Sequence, residues 1–367
     1  MSSIIGENGT LQHTWDFNNW KHTLTQLYFQ LVRESMNDGE LPLVFTRLLH
    51  LSNTNDELRD YLFRLVIHTR DIKQGKGERD LYYHLLSIIA EHGALDDAIQ
   101  ILRYTCEHDS GSWKDIKYLV HFLLSSSDSK TVPPLAHAAL QLLASQVEKD
   151  YKAYSEDRFV DMSLAARWAP RREKGKFAPV TRLFVQTIHA SRTYSPSSMK
   201  DVRKMLALLN RDLKTPQIDM CRGTWSLLHF NYMTSYTLLK HKLAFQNKTK
   251  KGEDRYSHDD RIACATHYSD WLNSKDKKIN VSTIYPYEFV RDVMTKQINA
   301  DEMKYYNDAW NTQLNQQMMD TKDAQLGIMI PMIDVSGSMT CDKSLPLHNA
   351  IALGMRLAEM NTGYFHN

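Results

Sequence analysis

Asp56-Glu-Leu-Arg-Asp-Tyr-Leu-Phe-Arg-Leu-Val-Ile-His68 decides the fold class of this chain. Leu58, Leu62, Leu65 and Val66 recur at intervals of three and four, which lines one face of an α-helix, while charged residues fill the other. Ser52-Asn-Thr-Asn-Asp56, just ahead, supplies polar side chains suited to cap the first turn. The pattern spreads in both directions. Residues 20–36 carry Trp20, Leu24, Leu27, Phe29, Leu31 and Val32 at mostly helical spacing, and residues 78–92 form another segment that Gly93 is placed to end. Residues 96–108, 113–124 and 135–151 continue the series, with Pro133-Pro134 breaking the chain before the last. β-Branched alternation is nearly absent before residue 326, so an all-helical reading extends to about residue 320.

Composition bounds the class. A length of 367 residues, 42% hydrophobic and 24% charged, predicts a globular protein of two or three domains. No apolar run reaches eighteen residues, and the N-terminus lacks a basic region followed by a hydrophobic stretch, so neither a membrane span nor a secretion signal is expected. Cys106, Cys221, Cys264 and Cys341 stand singly, which fits a reduced intracellular compartment and no zinc site built on paired cysteines.

The net charge of +2 hides a division. Residues 161–280 hold 23 Lys and Arg against 11 Asp and Glu, and the rest of the chain holds 22 against 32. Such separation points to an anionic partner for the basic part. Two turn-rich basic stretches stand out, Arg167-Trp-Ala-Pro-Arg-Arg-Glu-Lys-Gly-Lys176 and Lys240-His-Lys-Leu-Ala-Phe-Gln-Asn-Lys-Thr-Lys-Lys-Gly252. Between them, Ser195-Pro-Ser-Ser-Met-Lys-Asp201 reads as a capped helix start. The chain divides into an N-terminal helical region over 1–160, a basic helical region of the same module over 161–320, and a distinct segment over 326–367.

That last segment opens with Ile328-Met-Ile-Pro-Met-Ile-Asp-Val-Ser-Gly-Ser-Met-Thr340, an apolar run of strand type that ends in Asp-x-Ser-x-Ser, and residues 346–360 read as the helix after it. Asp334, Ser336 and Ser338 offer one carboxylate and two hydroxyls on a loop that Gly337 lets turn, a donor set suited to Mg²⁺. A second motif, His68-Thr-Arg-Asp-Ile-Lys-Gln-Gly-Lys-Gly-Glu-Arg-Asp80, gathers Arg70, Lys73, Lys76 and Arg79 around a glycine-rich turn whose amides could approach a phosphate. It lacks the Lys-Ser/Thr of a Walker loop. The competing reading is a structural corner in which the arginines pair with Asp71 and Asp80. Catalytic patterns are missing: the histidines are dispersed, His258 and His267 have no second cluster, and the frame of a nucleophile elbow is absent, so no enzymatic activity is expected.

Several of these stretches resemble known families. Thr69-Arg-Asp-Ile-Lys-Gln-Gly-Lys-Gly-Glu-Arg79 and Gly111-Ser-Trp-Lys-Asp-Ile116 are similar to two successive signatures of the TROVE module of Ro-type RNA-binding proteins. Asp334-x-Ser-x-Ser338 resembles the metal-ion-dependent adhesion site that opens a von Willebrand factor A domain. Residues 159–171, 194–206 and 215–218 resemble a family known as domain of unknown function 2828, found in large DNA viruses, fungi, plants and bacteria, and that likeness extends over about residues 20–367. The resemblance implies a HEAT-like helical array followed by the first strand and helix of an α/β A domain. Since 27 residues follow Thr340, the A domain is expected to be incomplete and to hold Mg²⁺ weakly. With the single cysteines and no expected signal or span, a cytoplasmic protein is expected, in the host cytoplasm if the family's viral distribution applies.

The expected function is non-enzymatic binding of structured or single-stranded RNA, or scaffolding of a ribonucleoprotein. Its contacts would come from Arg70, Lys73, Lys76, Arg79, Arg167, Arg171, Arg172, Lys174, Lys176, Lys248, Lys250 and Lys251, with stacking on Trp168, Phe177 or Tyr194. For each aromatic, core packing is the competing role. The alternative is a protein-interaction adaptor that grips a partner's carboxylate through a cation at the Asp334 loop.

Overall fold

A computed structural model of the chain describes residues 3–5, 11–13, 15, 17–32, 36, 39–108, 110–126, 131–189, 195–281, 283–320 and 329–361. Within these the protein is mainly helical, with one short hairpin. By contacts it divides into two compact units, residues 1–215 and 216–367. The boundary falls between Thr215 and Pro216, inside the basic helical region read over 161–320. The physical reason is packing: helices of the basic stretch share the core of the helices before them.

The first unit opens with β1 (Ser3–Ile5) paired antiparallel with β2 (Leu11–His13), Ser3 opposite His13. This hairpin corrects the all-helical expectation, since three-residue strands are too short to show an alternation. The helices are α1 (Trp20–Gln30), α2 (Glu40–Ser52), α3 (Asp56–Arg70), α4 (Arg79–Glu91), α5 (Leu95–Glu107), α6 (Lys114–Ser126), α7 (Pro134–Ser155), α8 (Ala165–Trp168), α9 (Ala178–Ile188) and α10 (Pro196–Asp212). The sequence reading passed over α2, whose Leu41, Val44, Phe45, Leu48 and Leu49 are buried.

Local signals set the ends. Asn55 accepts the amide of Leu58 at the start of α3, and Gly93 takes φ +85° after α4. Ser195 and Ser198 close a reciprocal cap on α10, which begins earlier than its hydrophobic pattern alone suggests. Helices α1 to α6 pack on their successors in turn, and α7 touches α4, α5, α6, α8, α9 and α10. Its buried face includes Ala136, Ala139 and Ala144, whose small side chains let several helices approach.

The second unit contains α11 (Pro216–Arg222), α12 (Ser235–Phe245), α13 (Asp259–Asn273), α14 (Pro286–Thr295), α15 (Ala300–Asp320) and α16 (Cys341–Met360). Aromatic rings dominate its core: Phe230 and Tyr268 each pack against Phe245, Trp271 and one another with centroids 5.1–5.7 Å apart. In α16, Asp342, Lys343 and Ser344 have positive φ, so the regular helix starts after them and carries Pro346 in its first turn.

The helix expected over 346–360 is present, while the strand expected before it is not: residues 329–336 form no ladder. A strand needs a neighbour for its amides and carbonyls, and the second unit has no strand among the described residues. Instead, Asn361 holds the segment by donating Nδ2–H to Met329 O at 2.6 Å, and Ile333 packs against Gly354 of α16. Ile328, the first residue of the expected strand, lies outside the described residues.

Candidate nucleic-acid interface

The two sequence motifs at residues 69–79 and 111–116 form one buried network. Asp115, 1% exposed at the start of α6, accepts Arg70 Nε at 3.0 Å on Oδ1 and Nη2 at 2.9 Å on Oδ2. Tyr83 Oη donates to the same carboxylate at 3.1 Å, the Ser112 amide at 2.9 Å, and Arg79 Nε approaches to 3.7 Å. Burial, then Asp115, pushes the Tyr83 phenol above its ordinary range. A β-carbon at Gly111 would meet Thr105 Cγ2 at 2.5 Å, so glycine lets this turn close over the network.

This geometry corrects two expected contacts. Arg70 is 7% exposed and locked on Asp115, so its guanidinium cannot meet a phosphate. Lys76 donates its ammonium to Tyr28 O and to Leu31 O at 2.7 Å, closing the C-terminal end of α1. Nor are the loop amides free, because those of Lys76, Gly77 and Glu78 bond His68 O, Asp71 O and Thr69 O at 2.9, 2.9 and 2.8 Å. The arginines pair with Asp115, not with Asp71 or Asp80. Lys73 lies exposed at the tip of the loop, where Asp71 Oδ1 accepts its amide at 2.8 Å.

Arg79 links this corner to a surface that the chain assembles from α6, α8 and the 171–177 turn. Its guanidinium lies 4.9 Å from the Tyr118 ring centroid, where Lys114 and Lys176 also converge at 5.1 and 5.3 Å. Lys117 and Lys176 stand 5.2 and 5.0 Å from Phe177, while Lys114 and Arg167 stand 5.4 and 5.8 Å from Trp168. Arg171, Arg172, Lys174 and Lys176 are exposed. Among the described residues, Lys114, Lys117, Arg172, Lys174 and Lys176 form no salt bridge, whereas Arg203 holds Glu173 at 2.8 Å. Trp168 and Phe177 are partly buried against the core, so each ring has both a packing role and a presented face. Tyr194 lies outside the described residues.

The crowding shows in the titration of the two buried-side lysines. Burial, then Lys114, Arg171 and Arg172, pushes the Lys117 ammonium down to about 8. Lys114 is lowered by burial and by Arg79. A cleft of about 610 Å³ is lined by Arg79, Lys176, Tyr118 and Phe122, and also by the acids Glu78 and Asp80. Sequence reasoning missed Lys114 and Lys117. Lys114 stood inside a recognised motif, but only the packing of α6 on α8 and α9 brings both toward 171–176.

In the second unit, Lys248 and Asp254 close a tight turn through a 2.7 Å ion pair, with Lys250 and Lys251 exposed at its tip. At the Asp334 loop, Oδ1 accepts the Ser336 amide at 2.8 Å, and this bond holds the carboxyl below its ordinary range. Ser336 Oγ and Ser338 Oγ lie 2.9 Å apart. Adjacent oxygens around octahedral Mg²⁺ at its usual bond length are about 2.9 Å apart, so the pair has the right spacing, and three donors fill half a shell. No group of three His, Cys, Asp or Glu side chains gathers as a metal site among the described residues. No helix described is long and apolar enough to cross a membrane.

No family model matches the chain, and no solved structure does. The chain is similar to an uncharacterized protein of Acanthamoeba polyphaga mimivirus, 26% identical over 324 residues that cover 85% of this chain and 53% of that protein. The chain thus spans about half the length of the curated relative it matches.

Proposed function

We propose that the first unit is a non-enzymatic RNA-binding module, whose contact surface is built from Lys114, Lys117, Arg167, Arg171, Arg172, Lys174 and Lys176 around Tyr118, Trp168 and Phe177. One observation carries the reading: cations without salt-bridge partners are held against ring faces, two of them in partly dehydrated positions. Such a surface attracts phosphates, and rings beside cations suit the stacking of unpaired bases. The resemblance of residues 69–79 and 111–116 to the TROVE module of Ro-type proteins agrees with RNA as the partner. In this reading the motif residues Arg70 and Asp115 build the surface without touching the ligand.

Filter binding of a single-stranded oligonucleotide to the full chain tests it. Affinity should fall steeply between about 50 and 200 mM salt. Replacing Arg171 and Arg172 with Glu should abolish retention without changing the circular dichroism spectrum. Absence of binding at about 50 mM salt, or indifference to salt, would overturn the proposal.

A second reading rests on the Asp334 loop, whose hydroxyl spacing suits a hard cation on an exposed surface. There Mg²⁺ would bridge the loop to a carboxylate of a protein partner, as in an adaptor. Asp334→Ala should then abolish Mg²⁺-dependent retention of a partner and leave RNA binding intact; a partner held equally in chelator would exclude this reading.

A further inference from the structure

The second unit contains a cavity of about 660 Å³ between α12, α14, the first turn of α15 and the 248–254 turn. Five cations line it: Lys240, Lys242, Lys250, Arg291 and Lys296. Three acids face them, and each is already engaged. Asp292, 2% exposed, accepts Lys296 Nζ at 2.6 Å and Arg291 Nη2 at 3.2 Å on Oδ1, and Tyr306 Oη at 2.8 Å on Oδ2. Glu288 caps α14 by accepting the Tyr285 amide at 3.1 Å. Glu302 caps α15 by accepting the Asn299 amide at 3.3 Å.

Lys242 is the informative residue. Its side chain is 8% exposed, yet its nearest oxygens, Glu302 Oε1, Leu239 O and Asp292 Oδ2, lie at 3.5, 3.5 and 3.7 Å. Ammonium–carboxylate hydrogen bonds run about 2.7–2.9 Å, so a nearly buried charge here makes no bond of normal length. Leaving a buried charge so loosely satisfied is costly unless something else completes its shell. Lys240 and Lys250 at the rim form no salt bridge among the described residues, which leaves the cavity with more positive than negative charge. Its remaining walls are Tyr236, Leu239, Leu243 and Gln297, a ring, two aliphatic side chains and an amide. The volume lies within the roughly 300–1,000 Å³ of small-molecule sites.

We infer that this cavity binds a phosphate monoester of nucleotide size, its phosphate between Lys242, Lys240 and Lys250 and its organic part against Tyr236 and the two leucines. The phosphate could belong to a free nucleotide or to the 5′ end of an RNA.

Isothermal titration of the full chain with AMP, adenosine and inorganic phosphate tests the site. AMP should bind with a Kd below about 1 mM and adenosine at least about tenfold more weakly, the difference that one charge-assisted contact gives. Lys240→Glu with Lys250→Glu should weaken AMP at least about tenfold while unfolding as the parent does, since both residues are exposed. Lys242→Met should abolish binding, and the rim pair keeps the test decisive if that variant fails to fold. The Arg171 and Arg172 changes should leave AMP affinity unchanged, which separates this site from the RNA surface. Adenosine binding as tightly as AMP, no AMP binding at 10 mM, or an unaffected rim variant would each overturn the inference. Competition by a 5′-phosphorylated but not a 5′-hydroxyl oligonucleotide would support an RNA end as the source; competition by neither would support a free nucleotide.

Discussion

Arg70 and Asp115, 45 residues apart in sequence, meet through two parallel hydrogen bonds of 3.0 and 2.9 Å inside the first unit. That pairing turns two separate motifs into one structural clasp. It fixes the end of α3 to the start of α6, and so fixes where Lys114 and Lys117 stand.

Asp115→Ala should destabilise the first unit by about 3–5 kcal/mol, because it strands the buried Arg70 charge without a partner. Urea unfolding followed by circular dichroism measures this. Arg70→Met combined with Asp115→Leu should lose less than the single change, since it removes both charges together. A double variant as unstable as the single one would show that the clasp matters for more than charge balance.

Gly75→Ala should cost about 1–3 kcal/mol or more. A β-carbon there would sit 1.9 Å from His68 O and 2.8 Å from Asp71 O, backbone atoms that cannot step aside. Gly39→Ala is the control: nothing lies within 4 Å and its φ is −60°, so its unfolding free energy should stay within about 0.5 kcal/mol of the parent. Equal losses at both positions would contradict the tight α3–α4 corner.

RNA binding should weaken as pH rises through about 8, where Lys117 loses its proton. Below that pH the ammonium is charged in free and bound protein alike. Above it, binding must first take up a proton, so affinity falls. For folding alone the sign is reversed. The folded value lies below the ordinary 10.5, so the unfolded chain holds more protons between the two, and Lys117 penalises stability fully below 8 and progressively less as pH climbs. Fluorescence anisotropy from pH 7 to 9 should show the loss of affinity, and Lys117→Arg should flatten it. An unchanged slope in that variant would remove Lys117 from the surface.

The apolar stripes of α3, α4, α5, α6 and α7 were legible because helical spacing is a local property that tertiary packing here did not override. The cap at Ser195 and the stop at Gly93 were legible for the same reason. The strand before Asp334 was not, because its apolar residues satisfy a strand pattern while a ladder depends on a neighbouring strand. Arg167 to Lys176 could be found from charge density alone. Arg70 and Lys76 could not be told from surface cations, since burial depends on which helix arrives beside them.

Local order along this chain, then, is written in the periodicity and caps of its residues: a succession of amphipathic helices and a basic middle. Which cations are spent and which are presented was decided only by packing. Asp115 removes Arg70 from solvent and the end of α1 takes Lys76, while α6 carries Lys114 and Lys117 to the basic turn. Charge is a property of a residue, whereas its availability is a property of what folds against it.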